Sequence, residues 1–182
     1  MTTSTQQSCD RRKKLLLRLK PYWMMEPANI VLVSALAYFL IKVPSRGQIT
    51  TAVIASMLAT SFLLVIGTFA WKMVVDGLEG NPSSERKWTP WLDRARWPAL
   101  FLLFLALAAT AAEAFATLPR LSASLVGASI LCLLAILEYV NYYHYQLQHF
   151  DHADDFRKLL SGRGFRKSHL AKSIAAYRRK KA

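Results

Sequence analysis

Long apolar stretches constrain this chain more than any other feature. Residues 49–71 run for 23 positions without a charged side chain, which is long enough for a helix that crosses a bilayer. Further apolar stretches lie at 27–43, 97–118 and 121–143. The sequence therefore predicts an all-α, polytopic membrane protein, built as a four-transmembrane-helix bundle with these four stretches as its spans.

The overall composition supports a membrane protein over a soluble or disordered one. Hydrophobic residues make up 53% of the 182 positions, while 24 lysines and arginines stand against 11 acids and give a net charge of +13. A soluble domain of this size could not bury so much apolar sequence, and a disordered chain would not contain it. Apolar and charged residues must therefore be segregated along the chain.

The first apolar stretch is the shortest, at 17 residues. Pro27 suits the first turn of a helix, where its missing N–H costs nothing. Tyr22 and Trp23 precede it and are typical of headgroup depth. The charged leader of some 26 residues and the lack of a small-residue cleavage pattern favour an uncleaved anchor over a signal peptide.

Lysine and arginine are distributed very unequally over the predicted loops. Of the 24, 21 lie in residues 1–26, in the loop 72–96 and after residue 150. The positive-inside rule then places both termini and the middle loop in the cytoplasm. We expect an integral protein of a plasma membrane, of the prokaryotic inner-membrane type. Because topology explains the charge, nucleic acid is not an expected partner.

The chain divides into a basic cytoplasmic N-terminal segment at 1–26, a transmembrane domain at 27–150 and a basic amphipathic cytoplasmic tail at 151–182. In the middle loop, Thr89-Pro90 is typical of a helix N-cap followed by a first-turn proline. This predicts a short interfacial helix over 89–96.

Small residues recur at four-residue spacing in two spans, which lets helix backbones approach each other. The pattern supports a compact four-helix bundle and leaves open whether the protein forms a homo-oligomer. The residues are Ala55, Ser56, Ala59 and Thr60 in the second span and Ala108, Ala112 and Ala116 in the third.

Two acids, Glu113 and Glu138, lie inside the predicted spans. A charged acid at the bilayer centre costs about 2.5–3.5 kcal/mol, so each should face protein or water, or be protonated. Glu113 falls toward the non-cytoplasmic end and Glu138 toward the cytoplasmic end, so we do not expect them to pair within one chain. With Asn141, they are candidates for an ion or proton path. The alternative is that Glu138 bonds a neighbouring helix or a basic residue.

The fourth span continues into a polar and aromatic segment. Read as a helix, it carries one stripe at steps of three and four residues. We predict that this stripe packs against the cytoplasmic ends of the first two spans, or against a partner protein. Its members are Glu138, Asn141, Tyr142, Tyr145, Gln148, His149 and His152.

Metal ligands and catalytic motifs are weakly represented. His149, Asp151, His152 and Asp155 offer nitrogen and oxygen donors within two turns, but the chain has only four histidines. A bis-histidine haem would need ligands from two helices, and we predict no cofactor. The sequence lacks G-x-S-x-G, H-E-x-x-H and a phosphate-binding glycine-rich loop, so an enzyme is the less favoured class.

The tail after residue 165 is basic and amphipathic. Leu170, Ile174 and Tyr177 form its apolar stripe. We predict that it lies on anionic lipid rather than nucleic acid, with its basic side chains at the headgroups. These are Arg166, Lys167, Lys172, Arg178, Arg179, Lys180 and Lys181.

Three functions are consistent with this sequence. We favour a non-enzymatic accessory, scaffold or assembly subunit that engages partner proteins or anionic lipid on its cytoplasmic face. The second hypothesis is a small oligomeric channel or transporter that uses Glu113 and Glu138. The third is an intramembrane enzyme, or a metal or haem redox protein, that uses the Tyr/His segment 138–155.

Overall fold

A computed structural model describes residues 2–42, 49–81, 83–117, 121–147 and 166–181. Within these ranges the chain forms five helices and no strand, which confirms the prediction of an all-α fold. The helices are α1 (Thr2–Lys42), α2 (Thr51–Leu78), α3 (Ser83–Thr117), α4 (Ala123–Tyr143) and α5 (His169–Lys181).

Three of these helices, α2, α3 and α4, are long and apolar enough to cross a membrane. Each contains an 18-residue window with a mean hydropathy of 2.1. Helix α1 is not among the three, since the apolar part of its 41 residues is short and follows a polar, basic half. The fold is thus a helical one with three candidate spans, and the fourth span stays a prediction.

Helices α2 and α4 begin at side-chain caps. Thr50 and Ser122 have extended backbones, and their hydroxyl oxygens accept hydrogen bonds from the third residue that follows. Such bonds satisfy a backbone N–H that has no partner within the helix. At its other end α2 continues to Leu78, past its predicted end at residue 71, because Met73 and Val75 are buried in the bundle. The turn that follows uses Gly80 at a φ of 92°, a conformation that favours glycine.

Residues 89–96 form the early turns of α3, so the prediction of a separate interfacial helix is wrong. Helix α3 runs without a break from Ser83 through Pro90 and Pro98. Leu92 and Ala95 are 0% and 4% exposed and belong to the main core cluster. Because this apolar face packs against protein, the segment continues the third span rather than lying separately beside it.

The small residues of the second and third spans have different surroundings. In α2, Ser56, Ala59 and Thr60 are buried, and the Thr60 hydroxyl donates to the carbonyl of Leu131 in α4 at 3.0 Å. This confirms the close approach predicted for the second span. The row in α3 lies on the exposed side of that helix and does not contribute to packing within this bundle. That row is Ala108, Ala112 and Ala116.

Helix α4 ends at Tyr143, and the predicted helical continuation beyond it is wrong for the residues described. The chain turns back, with Tyr145 in an isolated bridge to Lys167. The Asn141 side-chain oxygen accepts from the backbone N–H of Leu147 at 2.8 Å and holds this turn. We call this end of the bundle, where α2 and α4 end, the tail end, and the opposite end the far end.

Candidate functional site

A polar cluster is buried between α1, α2 and α4 near the tail end. Glu26 of α1 is 5% exposed. The hydroxyl of Tyr142, in α4, donates to Glu26 Oε1 at 2.8 Å. Trp71 of α2 also interacts with the Glu26 carboxyl. Three helices therefore meet at one carboxyl group, and we call this group with Glu138 the acid pair.

Glu138 lies one turn before Tyr142 on α4, close enough to Glu26 for the charge of one carboxyl to act on the other. Tyr142 and Asn141 lie beside it as neutral polar groups. Its Oε2 atom is buried and has no hydrogen-bond partner among the described residues. A carboxylate in this position is poorly solvated, because burial removes water without supplying enough donors.

A glycine makes room for the tyrosine of this cluster. A Cβ atom at Gly67 of α2 would overlap the hydroxyl oxygen and the Cζ atom of Tyr142. Tyr142 is 4% exposed, so its ring has little freedom to move aside. The absence of a side chain at Gly67 is thus a condition for the bond between Tyr142 and Glu26.

Two described cations of α2 and α3, Lys72 and Arg96, have other partners. Arg96 donates through Nε to the Tyr139 hydroxyl at 3.1 Å. Lys72 binds Asp76 at 3.0 Å and lies 5.5 Å from the centre of the Trp23 ring. Two neighbouring carboxyls with no cation bound to either among the described residues disfavour simultaneous ionisation. One of the two carboxyls can therefore hold a proton.

Glu113 has a different environment at the far end. Its two carboxyl oxygens accept hydrogen bonds from Thr50, just before α2, at 2.5 Å and from Ser124 of α4 at 2.7 Å. One acid thus joins three helices through neutral hydroxyls. These two hydrogen bonds make Glu113 a structural connection between helix ends.

Glu113 and Glu138, the two acids within the predicted spans, do not meet. Ser124, which binds Glu113, precedes Glu138 by fourteen residues of α4, or about 21 Å along a helix. The bundle between them is packed with apolar side chains. Leu63, Ile66 and Ala135 are each 0% exposed. The carboxyl that Glu138 meets is Glu26, on another helix.

The remaining members of the predicted stripe separate into two groups. Asn141 is 8% exposed and bonds the turn after α4, while Tyr145 is 45% exposed. Gln148, His149 and His152 lie outside the described residues, as do the weak metal candidates Asp151 and Asp155. Within the described ranges, no group of three or more His, Cys, Asp or Glu side chains is placed to hold a metal ion.

The tail helix α5 packs against α3 and α4 at the tail end. Its apolar residues Leu170 and Ile174 are 3% and 8% exposed and share the main core cluster with Leu92. Arg178 binds Asp93 of α3 through two nitrogens, with Nη2 at 2.6 Å and Nε at 3.1 Å from Oδ1. These bonds raise the pKa of the Arg178 guanidinium, because they stabilise its charged form.

The predicted lipid-facing stripe of the tail is thus largely covered by protein, while its basic residues point outward. A contact with anionic lipid would have to use those charges rather than insertion of Leu170 and Ile174. The basic residues that are exposed here are Arg166, Lys167, Lys172, Arg178, Arg179, Lys180 and Lys181.

Several residues of these sites were not identified from the sequence. Glu26 falls in the predicted N-terminal segment, although it is the only acid between Asp10 and Asp76 and directly precedes an apolar stretch. This isolated position could have identified Glu26 from the sequence, since an acid in or beside a membrane span is costly and needs a partner. Gly67 and Asp93 carried no comparable signal, because their importance depends on partners that are distant in sequence.

Comparison with known proteins identifies no relative of this chain. No protein-family model matches this chain, and neither a curated protein nor a solved structure is similar to it.

Proposed function

We propose that this chain is a small integral membrane protein in which α1 provides a fourth span beside α2, α3 and α4. Val31, Leu32 and Phe39 of α1 are 71%, 63% and 59% exposed, and Trp97 and Phe104 of α3 are 71% and 66% exposed. Soluble monomers rarely expose so large an apolar surface, whereas lipid would cover it. The buried Ala37 of α1 packs with Ala52 and Val53 of α2, as expected for neighbouring spans.

The distribution of basic residues orients this bundle. The tail end carries the first half of α1, the last turns of α2, the first turns of α3 and the helix α5, which together hold much of the positive charge. By the positive-inside rule we place the tail end and both termini on the cytoplasmic side of a prokaryotic inner membrane.

Within that membrane we propose that the protein is an accessory, scaffold or assembly subunit and not an enzyme. The docked helix α5 is the observation that carries this proposal. Its apolar residues and the ion pair of Arg178 with Asp93 fix it to the spans, and Lys172, Arg179 and Lys180 are exposed to solvent. Such an arrangement holds a positive surface at a fixed position on the membrane, where a partner protein, a second copy or anionic lipid can bind it.

The partner test is native purification in mild detergent, with mass spectrometry of everything that stays bound. We expect a protein that co-purifies with the natural chain and is lost from a variant with Lys172→Gln, Arg179→Gln and Lys180→Gln. The matched control removes the same charge elsewhere near the tail end, with Lys13→Gln, Arg86→Gln and Lys87→Gln, and should retain it. Equal loss from both variants, or no partner with the natural chain, would contradict the scaffold function.

Membrane orientation has its own test. Single cysteines at Ile49→Cys and Ser83→Cys, in a chain with Cys9→Ser and Cys132→Ala, report the far end and the tail end. In sealed cells, an impermeant thiol reagent should label the first and not the second. Labelling of the cysteine at position 83 alone would invert the orientation, and labelling of both without any membrane association would rule out the spans.

A second candidate function is the binding of protons or small cations, as part of a small channel or transporter. The acid pair favours it, because the buried Glu26 and the half-buried Glu138 have no cation partner among the described residues, as is typical of proton sites in membranes. Glu113 is not included in this site, since packed apolar residues separate it from Glu138. In liposomes, proton flux should fall with Glu26→Gln and with Glu138→Gln and should persist with Glu113→Gln. Equal flux in all three variants would exclude this function.

A further inference from the structure

A polar cleft lies between α3 and α5 at the tail end. Its volume is about 460 Å³, which is large enough for a phosphate group and its substituent. One wall is formed by α3 and the other by the last two turns of α5. The lining residues are Pro90, Asp93, Arg94, Tyr177, Arg178 and Lys181.

The charge of the cleft favours an anion. Arg94, Arg178 and Lys181 contribute three positive charges and Asp93 one negative charge, so the lining carries a net charge of +2. The single acid is already engaged by Arg178. It therefore fixes the guanidinium in place and does not repel a ligand as an isolated carboxylate would.

Hydrogen-bond donors are also available in this cleft. The bonds from Arg178 to Asp93 use Nε and Nη2. Because a guanidinium has five N–H donors in a planar fork, those of Nη1 can serve a ligand. Arg94, Lys181 and the Tyr177 hydroxyl add further donors. Oxygen atoms of a phosphate match this set, since a planar fork binds two of them at once.

The depth of the cleft relative to the membrane indicates which kind of molecule would supply the phosphate group. Trp97 is 71% exposed and follows Arg94 by three residues, which is a rise of about 4.5 Å. Exposed tryptophans of a spanning helix lie at headgroup depth. In the proposed membrane orientation, the cleft is thus level with the lipid phosphates of the cytoplasmic leaflet.

We infer that this cleft binds a phosphate group, supplied by the headgroup of an anionic phospholipid. The inference rests on the proposed function, in which the tail end faces the cytoplasmic leaflet, and it names the ligand of that surface. It differs from the sequence-based prediction that the tail lies on lipid with its apolar stripe, because Leu170 and Ile174 are packed against protein. Recognition takes place through a formed cleft rather than through charge alone.

The test uses the full chain in mixed micelles of phosphatidylglycerol and phosphatidylcholine, with bound lipid measured by native mass spectrometry. Arg94→Gln and Lys181→Gln remove cleft charges without breaking the pair of Arg178 and Asp93. Their matched controls are Arg86→Gln on α3 and Lys180→Gln on α5, which remove the same charge outside the cleft. We expect each cleft variant to bind phosphatidylglycerol about fivefold more weakly than its control.

Each outcome decides the inference. Equal losses for Lys181→Gln and Lys180→Gln would show that only general charge acts and would overturn the site. Tighter binding of inorganic phosphate or glycerol phosphate than of the lipid, with the same sensitivity to Arg94→Gln, would overturn the lipid as the source. A chain that stays soluble without detergent would instead contradict the proposed function, whereas a membrane protein with no lipid preference would contradict this inference alone.

Discussion

Replacement of Gly67 by alanine tests how the acid pair is held. The added methyl group would overlap the hydroxyl oxygen and ring carbon of Tyr142. The ring is buried, and its hydroxyl donates to Glu26 at 2.8 Å. It can only make room by moving away from that carboxyl, which would leave Glu26 buried with fewer donors.

The expected loss of stability combines three contributions. Inserting a carbon atom into a packed core costs about 1–3 kcal/mol. Loss of the hydrogen bond to a buried carboxyl costs a further ~1–3 kcal/mol. Replacing a glycine by alanine inside a helix returns about 0.5–1 kcal/mol. We therefore expect Gly67→Ala to lower the free energy of unfolding by about 1–5 kcal/mol.

The assay is denaturant unfolding of the full chain in detergent micelles, followed by tryptophan fluorescence. The matched control is Gly77→Ala in the same helix, where a Cβ atom would meet nothing within 4 Å, so this variant should be as stable as the natural chain or slightly more so. In a Tyr142→Leu background the cost of Gly67→Ala should largely disappear. Equal stability of the two alanine variants, or an undiminished cost in the Tyr142→Leu background, would refute this packing.

Three further substitutions test other contacts by the same measurement. Glu113→Ala should lower the free energy of unfolding by about 2–4 kcal/mol, because it leaves the hydroxyls of Thr50 and Ser124 without their acceptor. Thr60→Val should cost about 1 kcal/mol, since it removes the buried bond between α2 and α4. Leu170→Ala should cost about 2–4 kcal/mol locally and expose the arginines of α5 to faster trypsin cleavage.

Each of these variants has a control. Glu85→Ala removes an exposed acid of α3 and should leave stability within about 0.5 kcal/mol of the natural chain. Thr51→Val changes an exposed threonine of the same helix as Thr60. Lys172→Gln changes an exposed residue of α5 and should leave trypsin cleavage after Arg178 unchanged. A control that behaves like its partner variant would show that the named contact does not carry the effect.

Local pattern determined which parts of the chain are helical. The charge-free run at 49–71 and its counterparts leave helix formation as the way to satisfy the backbone inside an apolar environment. Small residues in the second span indicated a close helix contact, which Ser56 and Thr60 make. The limits of the helices were less well determined. In α4, a stripe at steps of three and four residues continues past Tyr143, but Ser168 binds the carbonyl of Tyr142 and the chain folds back.

Only the tertiary structure decided which side chains meet. Glu26 and Tyr142 are 116 positions apart. No local periodicity specifies that the face of α1 with Glu26 and the face of α4 with Tyr142 both lie against α2 at Gly67. The same holds for Asp93 and Arg178, which are 85 positions apart and enclose the polar cleft. Apolar and charge patterns act within one or two turns of a helix, so the sequence by itself determined the helices and their charged ends. The acid pair and the cleft depend on how those helices rotate and pack, which is set by the shapes of all their contacting side chains together.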